Sequence, residues 1–166
     1  MKNLRIINVT NMELVYSLSA VADDIWHEYF TPIIGEAQVD YMLDKFLSPD
    51  ALVEQINSGY EYFLFSYDYT FAGFAGIHEE DGNLFLSKLY VHEDFRGKGI
   101  GSYMFQKIVE ICKLRGLKKI WLTCNRNNKN TLAIYEHLGF TIVREEKADI
   151  GNGFVMDDYI LDYTVE

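Results

Sequence analysis

The chain has 166 residues, 49% apolar and 15% aromatic, with only two prolines, so it can bury one ordinary core without disulfides or a structural metal, which excludes a disordered or fibrous protein. Twenty-five acidic against fifteen basic side chains leave a formal net charge of -10, which argues against a general nucleic-acid binder because phosphate contacts need a basic surface. With no apolar run of roughly 20 residues and no basic, apolar and small-residue leader, the expectation is a cytoplasmic protein of one domain, residues 1–166, that does not enter a membrane.

In chain order, Arg5 to Val9 alternates as a first strand. Thr10 and Glu13 have capping-box spacing, which predicts a helix from about Asn11 to beyond Trp26. Gly35 opens a second helical pattern through Val39, Met42, Leu43 and Phe46. Ser48 as N-cap, Pro49 at the first position and Gly59 beyond the end delimit a third helix. Tyr60–Tyr67 and Phe71–Ile77 read as a hairpin joined by Asp68-Tyr69-Thr70, and their eight aromatics, Tyr60 to Phe74, are expected in the core. Asp81-Gly82 turns into the strand Leu84 to Val91. Further on come a helix from about Gly99 to Arg115 closed by Gly116, a strand Lys119–Thr123, a helix from about Asn130 to Leu138 closed by Gly139, and the strands Phe140–Lys147 and Phe154–Val165. Cys112 and Cys124 have neither CxxC spacing nor a nearby His cluster, so no disulfide, zinc site or other metal centre is indicated.

The charge is uneven. Residues 92–129 hold nine basic side chains against three acids, which places +6 on that stretch and -16 on the rest. Within it, Arg96-Gly97-Lys98-Gly99-Ile100-Gly101-Ser102 lies between a strand and a helix, where backbone N–H groups can cradle an anion. The run is not a Walker loop, which needs GxxxxGK[ST]. Nor is it a dinucleotide fingerprint, because Met104 occupies the third glycine position counted from Gly99. What fits is R-x-x-G-x-G, on Arg96, Gly99 and Gly101.

At these residues the chain resembles the GNAT N-acetyltransferase superfamily, and Asn128 to Phe140 is similar to its N-x-x-[AST]-x-x-x-Y-E-x-x-G-F segment. The resemblance implies an α/β (α+β) GNAT fold: a mixed, mostly antiparallel sheet of about seven strands, helices on both faces, and strands splayed at the cofactor. It implies acetyl-CoA as co-substrate and no metal. The pyrophosphate would lie on Arg96, Gly97, Lys98, Gly99, Ile100, Gly101 and Ser102, the pantetheine along Leu89, Tyr90 and Val91, and Asn128 would hold the cofactor from the next strand's exit. Tyr135 matches the family's general acid, beside the departing sulfur. Arg126 or Lys129 would reach the ribose phosphate.

Many relatives place a Glu base on the strand before the loop, but here Leu84 to Val91 carries no carboxylate. Among His78, Glu79 and Glu80, Glu79 is taken as the base because hairpin ends face the acceptor groove in the family. The acidic remainder argues for a cationic acceptor, and Trp26, Tyr29, Gly35, the stretches Gln38 to Leu43 and Leu86 to Val91, and the Asp149 to Tyr159 segment look similar to bacterial spermidine/spermine N-acetyltransferase-like proteins. Trp26, Tyr41 and Asp157 are the candidate acceptor contacts, with strand alternation turning only one of Asp157 and Asp158 inward. The expected activity is acetyl transfer to a primary amine of a small polyamine-like molecule. A protein or peptide N-terminus or lysine as acceptor, and a CoA-binding regulatory module, are the competing readings. A homodimer, with the final strand pairing across its interface, is compatible with the pattern.

Overall fold

The computed structural model describes residues 3–166. In chain order the elements are β1 (Leu4–Asn8), α1 (Met12–Ile34), α2 (Glu36–Leu47), α3 (Pro49–Asn57), β2 (Glu61–Tyr67), β3 (Thr70–Glu80), β4 (Asn83–Val91), a 3-10 turn (Glu93–Phe95), α4 (Ile100–Arg115), β5 (Lys119–Asn125), α5 (Lys129–Leu138), β6 (Thr141–Gly151) and β7 (Phe154–Thr164). The strands form one seven-stranded sheet in the order β1-β2-β3-β4-β5-β7-β6. Pairs β1–β2, β2–β3, β5–β7 and β6–β7 are antiparallel, and β4–β5 is parallel. The chain divides into two compact units, one of Met1–His78 with Lys88–Ile108 and one of Glu79–Ser87 with Val109–Glu166.

In the first unit, α1 buries Val15, Leu18, Ala22, Ile25, Trp26 and Phe30, a three- and four-residue spacing that makes one apolar stripe. Its N-cap is Asn11, whose Oδ1 accepts from Leu14 N–H at 2.9 Å, and not the Thr10 of the capping-box reading. Asn caps as well as Ser or Thr, so the motif placed the helix one residue early. The third helix starts as its punctuation implies, with Ser48 Oγ accepting from Ala51 N–H at 3.3 Å and Pro49 at the first position. Helices α1 and α2 are tied by His27, whose Nε2 lies 2.5 Å from Asp40 Oδ1 and whose Nδ1 lies 2.9 Å from the Asp23 carbonyl. Both ring nitrogens face acceptors, an arrangement that favours the doubly protonated ring. The hydrogen bond to Asp40 is the largest of the effects that hold the imidazole pKa above its ordinary value.

Strands β2 and β3 meet through Asp68 and Tyr69, both with positive φ (49° and 67°), a two-residue turn whose twist suits a hairpin. This turn corrects the expectation of eight core aromatics. Tyr62, Phe63, Phe65 and Phe74 are buried, whereas Tyr69 is 89% exposed at the turn tip and Phe71 beside it 36% exposed. The second turn, Asp81-Gly82, also has positive φ at both positions (51° and 80°).

In the second unit, Ile120, Leu122 and Cys124 alternate inward along β5, and the β6–β7 hairpin pairs from Thr141↔Asp162 to Gly151↔Phe154. The final strand is an internal one, between β5 and β6, so the expectation that it pairs across an interface is corrected: its backbone is committed on both sides, and β6 is the edge.

Candidate functional site

The expected site residues fall in both units. In the first, β4 runs through Leu89–Val91 into the 3-10 turn and the loop preceding α4. Pairing of β4 with β5 includes Leu84↔Ile120 and Phe85↔Trp121. On the β3 side the backbones are unusually close: a Cβ at Gly73 would stand 2.2 Å from the Tyr90 carbonyl oxygen and 3.1 Å from Val91 Cα. Only glycine admits that approach.

The loop turns at Gly97 and Gly99, each at φ 79°, and Tyr103 N–H donating to the Gly99 carbonyl closes the first turn of α4. The first turns of α1, α2 and α3 carry Glu13, Glu36 and Asp50, but that of α4 has no acid. Its N-terminal N–H groups therefore keep their positive potential. Arg96 is already engaged: Nε donates to the Val91 carbonyl at 2.9 Å, Nη2 is 2.7 Å from Glu28 Oε1, and the guanidinium lies 5.0 Å from the Tyr29 ring centroid. Lys98 Nζ sits 5.7 Å from the centroid of the Tyr67 ring.

Behind this strand Tyr90 packs edge-on against Trp26 and Phe30, each at 5.7 Å, and lies tilted against Phe74 at 5.5 Å. Trp26, a candidate acceptor contact, is thus a core residue 5% exposed, and its indole N–H is sealed without a hydrogen-bond partner among the described residues. Tyr41 stands half-buried on α2 with Lys45 Nζ 5.7 Å from its ring centroid. Lys88, in the middle of β4, is half-buried with its ammonium 5.8 Å from the Tyr62 ring centroid, and burial lowers its pKa to about 8. Reading the strand for carboxylates passed over it, although its alternation with Leu84, Leu86 and Tyr90 already marked the inward face.

In the second unit, Asn128 precedes α5 and is 5% exposed, its carbonyl accepting from Leu132 N–H at 3.0 Å. Tyr135 is half-buried on α5, edge-on to Phe140 at 5.3 Å. Of the paired aspartates it is Asp158 that turns inward, 6% exposed, with its carboxyl pushed up to about 6 chiefly by burial and further by Asp157 and Glu146. Asp157 instead accepts from Arg126 Nε at 3.0 Å, and Arg126 also pairs with Glu145 at 3.0 Å and covers the Tyr159 ring at 4.8 Å. Glu79 pairs with Arg115 at 2.8 Å. Burial pushes the thiols of Cys112 and Cys124 up to about 11 and about 12, so neither is a ready nucleophile. No cluster of metal-ligating side chains occurs among the described residues, and no helix among them is long and apolar enough to cross a membrane.

Two properties fit a phosphate-bearing cofactor at the loop: two left-handed glycines and an acid-free helix N-terminus. Sequence reading missed Asp24 and Glu28, whose i, i+4 spacing on the polar side of α1 was the available signal.

Known proteins share this fold. Over 97% of this chain and 98% of the other, the fold superposes with a TM-score of 0.80 and 21% identity on the PaiA N-acetyltransferase of Thermoplasma acidophilum in complex with coenzyme A. The ribosomal-protein-S18-alanine N-acetyltransferase of Escherichia coli gives a TM-score of 0.72 at 15% identity, over 98% and 94% of the two chains. In sequence, the chain is 32% identical to the thialysine N-epsilon-acetyltransferase of Bos taurus over 49% of this chain and 42% of that protein. It is 29% identical to the spermine/spermidine N(1)-acetyltransferase of Bacillus subtilis over 37% and 41%. These matches span less than half the length of either relative. The model of the acetyltransferase (GNAT) family matches residues 19–140, most of the chain, and the chain therefore belongs to that family, whose members use acetyl-CoA.

Proposed function

We propose that this protein is an N-acetyltransferase that moves the acetyl group of acetyl-CoA to a primary amine of a small, cationic, polyamine-like acceptor. The observation that carries the reading is the glycine loop opening α4, whose N-terminus lacks any acid and whose flanks carry the basic stretch of the chain. Acetyl-CoA supplies an acetyl thioester. The amine nitrogen bonds to its carbonyl carbon as the carbon–sulfur bond breaks, one proton leaves the nitrogen and one reaches the sulfur.

The chain's own residues take these parts. Main-chain N–H groups of residues 96–102 hold the pyrophosphate, and Leu89, Tyr90 and Val91 present strand edges to the pantetheine arm and the acetyl carbonyl. In the second unit Asn128 contacts the cofactor, and the Tyr135 hydroxyl hydrogen-bonds the departing sulfur. Glu79, through water where needed, receives the amine proton. Tyr41 offers its ring to the acceptor's alkyl chain, and Asp157 offers a carboxylate to its charge. A cationic acceptor is favoured by the charge of -16 outside residues 92–129 and by the spermine and spermidine acetyltransferases of Bacillus among the relatives. A peptide N-terminus is the second reading, favoured by the relative named [Ribosomal protein bS18]-alanine N-acetyltransferase.

A screen for acetyl-CoA-dependent thiol release over polyamines, amino acids and basic peptides tests both readings. Spermidine and spermine are expected to turn over best, and preference for a peptide would replace the first reading with the second. Tyr135→Phe is expected to lower kcat by about a hundredfold, within the range of general acid loss, while the CoA Kd stays within about twofold. Unchanged kcat would remove Tyr135 from the chemistry.

A further inference from the structure

Two acidic side chains one turn apart on α1, Asp24 and Glu28, reach two side chains that bracket the lead-in to the glycine loop. Asp24 Oδ2 lies 3.0 Å from His92 Nε2, and Glu28 Oε1 lies 2.7 Å from Arg96 Nη2. His92 Nδ1 accepts from Asp94 N–H at 3.1 Å, so the ring proton is on Nε2, the atom that faces Asp24. Arg96 spends Nε on the Val91 carbonyl at 2.9 Å, joining the end of β4 to the start of the loop, while its guanidinium lies over Tyr29 of the same helix. Residues 92–96 are thereby held at both ends by one face of α1.

We propose that Asp24 and Glu28 are positioning residues for the cofactor loop, and that Arg96 is a strut of that loop rather than one of its phosphate contacts. The burial of Glu28 Oε1 decides between strut and contact. That oxygen is sealed from solvent with no hydrogen-bond partner among the described residues, and the Arg96 charge is what compensates it. Swinging Arg96 to a phosphate would strand a desolvated carboxylate oxygen and release the Val91 carbonyl, a double loss that one exposed phosphate contact does not offset. As a strut, Arg96 leaves the phosphates to the main-chain N–H groups and the α4 N-terminus.

The proposal rests on residues 96–102 being the cofactor cradle, and its test separates the two. CoA affinity is measured by calorimetry, and amide hydrogen exchange over residues 92–99 is followed in the ligand-free protein. Glu28→Gln is expected to raise the CoA Kd about threefold to tenfold, as for loss of a half-buried ion pair, and to speed exchange of those amides without CoA present. The exchanged pair Glu28→Arg with Arg96→Glu is expected to recover part of both. An unchanged or tighter Kd for Glu28→Gln overturns the proposal, tightening being the result if Glu28 competes with phosphate for Arg96. Glu28→Asp, which keeps the charge but shortens its reach, is the second variant should Glu28→Gln fail to fold, with the same outcomes. Ser102→Glu puts a carboxylate where the α4 dipole favours it but a phosphate would not. Normal CoA binding by Ser102→Glu sinks the cradle itself, whereas its loss alongside an unaffected Glu28→Gln sinks only the positioning role.

Discussion

Lys88 shows how a single side chain can be placed by the pattern yet given its chemistry by the packing. On β4 it takes its turn on the face of Leu84, Leu86 and Tyr90, so the two-residue period directs it inward, and there burial holds its pKa near 8. The sign follows from the direction of the shift. Between about 8 and the ordinary lysine value of 10.5 the unfolded chain binds the proton that the folded chain does not, so stability rises with pH across that window, and below it the buried cation weighs against the fold. Lys88→Met is therefore expected to raise stability at pH 7 by about 1 to 2 kcal/mol, the shift being discounted because the side chain is only half-buried, and by much less at pH 10.5. Denaturant midpoints at the two pH values check this. An equal gain at both would show that the ammonium is not desolvated.

At the scale of elements, Gly73 illustrates why strands can be legible while their spacing is not. The run Phe71–Ile77 reads as a strand from its aromatics and alternation, and β3 covers it. Nothing in that run says that the carbonyl of Tyr90 must come within 2.2 Å of where a Cβ at Gly73 would stand. Gly73→Ala sets a side chain against backbone that cannot swing aside. It is expected to cost about 3 kcal/mol or to displace Leu89–Val91, with the melting temperature lowered and CoA binding weakened together. A thermal midpoint and CoA affinity at wild-type levels would show that β4 shifts at no cost. The helix caps follow the same logic. Ser48-Pro49 declares its helix locally, because cap and first turn are sequence neighbours, whereas the choice of Asn11 over Thr10 depended on which residue took the extended φ and ψ.

For the whole molecule, the uneven charge carries the functional expectation that motifs do not. A field from -16 charges should gather a polycation at distances where salt screens it. The KM for spermidine is accordingly expected to rise severalfold between about 20 and 200 mM salt with kcat little changed, and the KM for a neutral-chain monoamine to rise less. Equal salt dependence for the two acceptors would separate the charge from substrate choice.

From the sequence by itself came the element order, the turns, the glycine loop before α4 and the family, because these rest on short-range rules: period, cap, turn chemistry and contiguous motif. Tertiary structure alone decided that Tyr69 and Phe71 face solvent, that Asp158 rather than Asp157 is buried, that β7 lies inside the sheet, and that Arg96 is held by Glu28. Each of these depends on which distant segment stands opposite, and burial, desolvation and ion pairing are properties of that meeting rather than of either segment. A guanidinium reads in sequence as a phosphate ligand until a carboxylate 68 positions earlier is found 2.7 Å away.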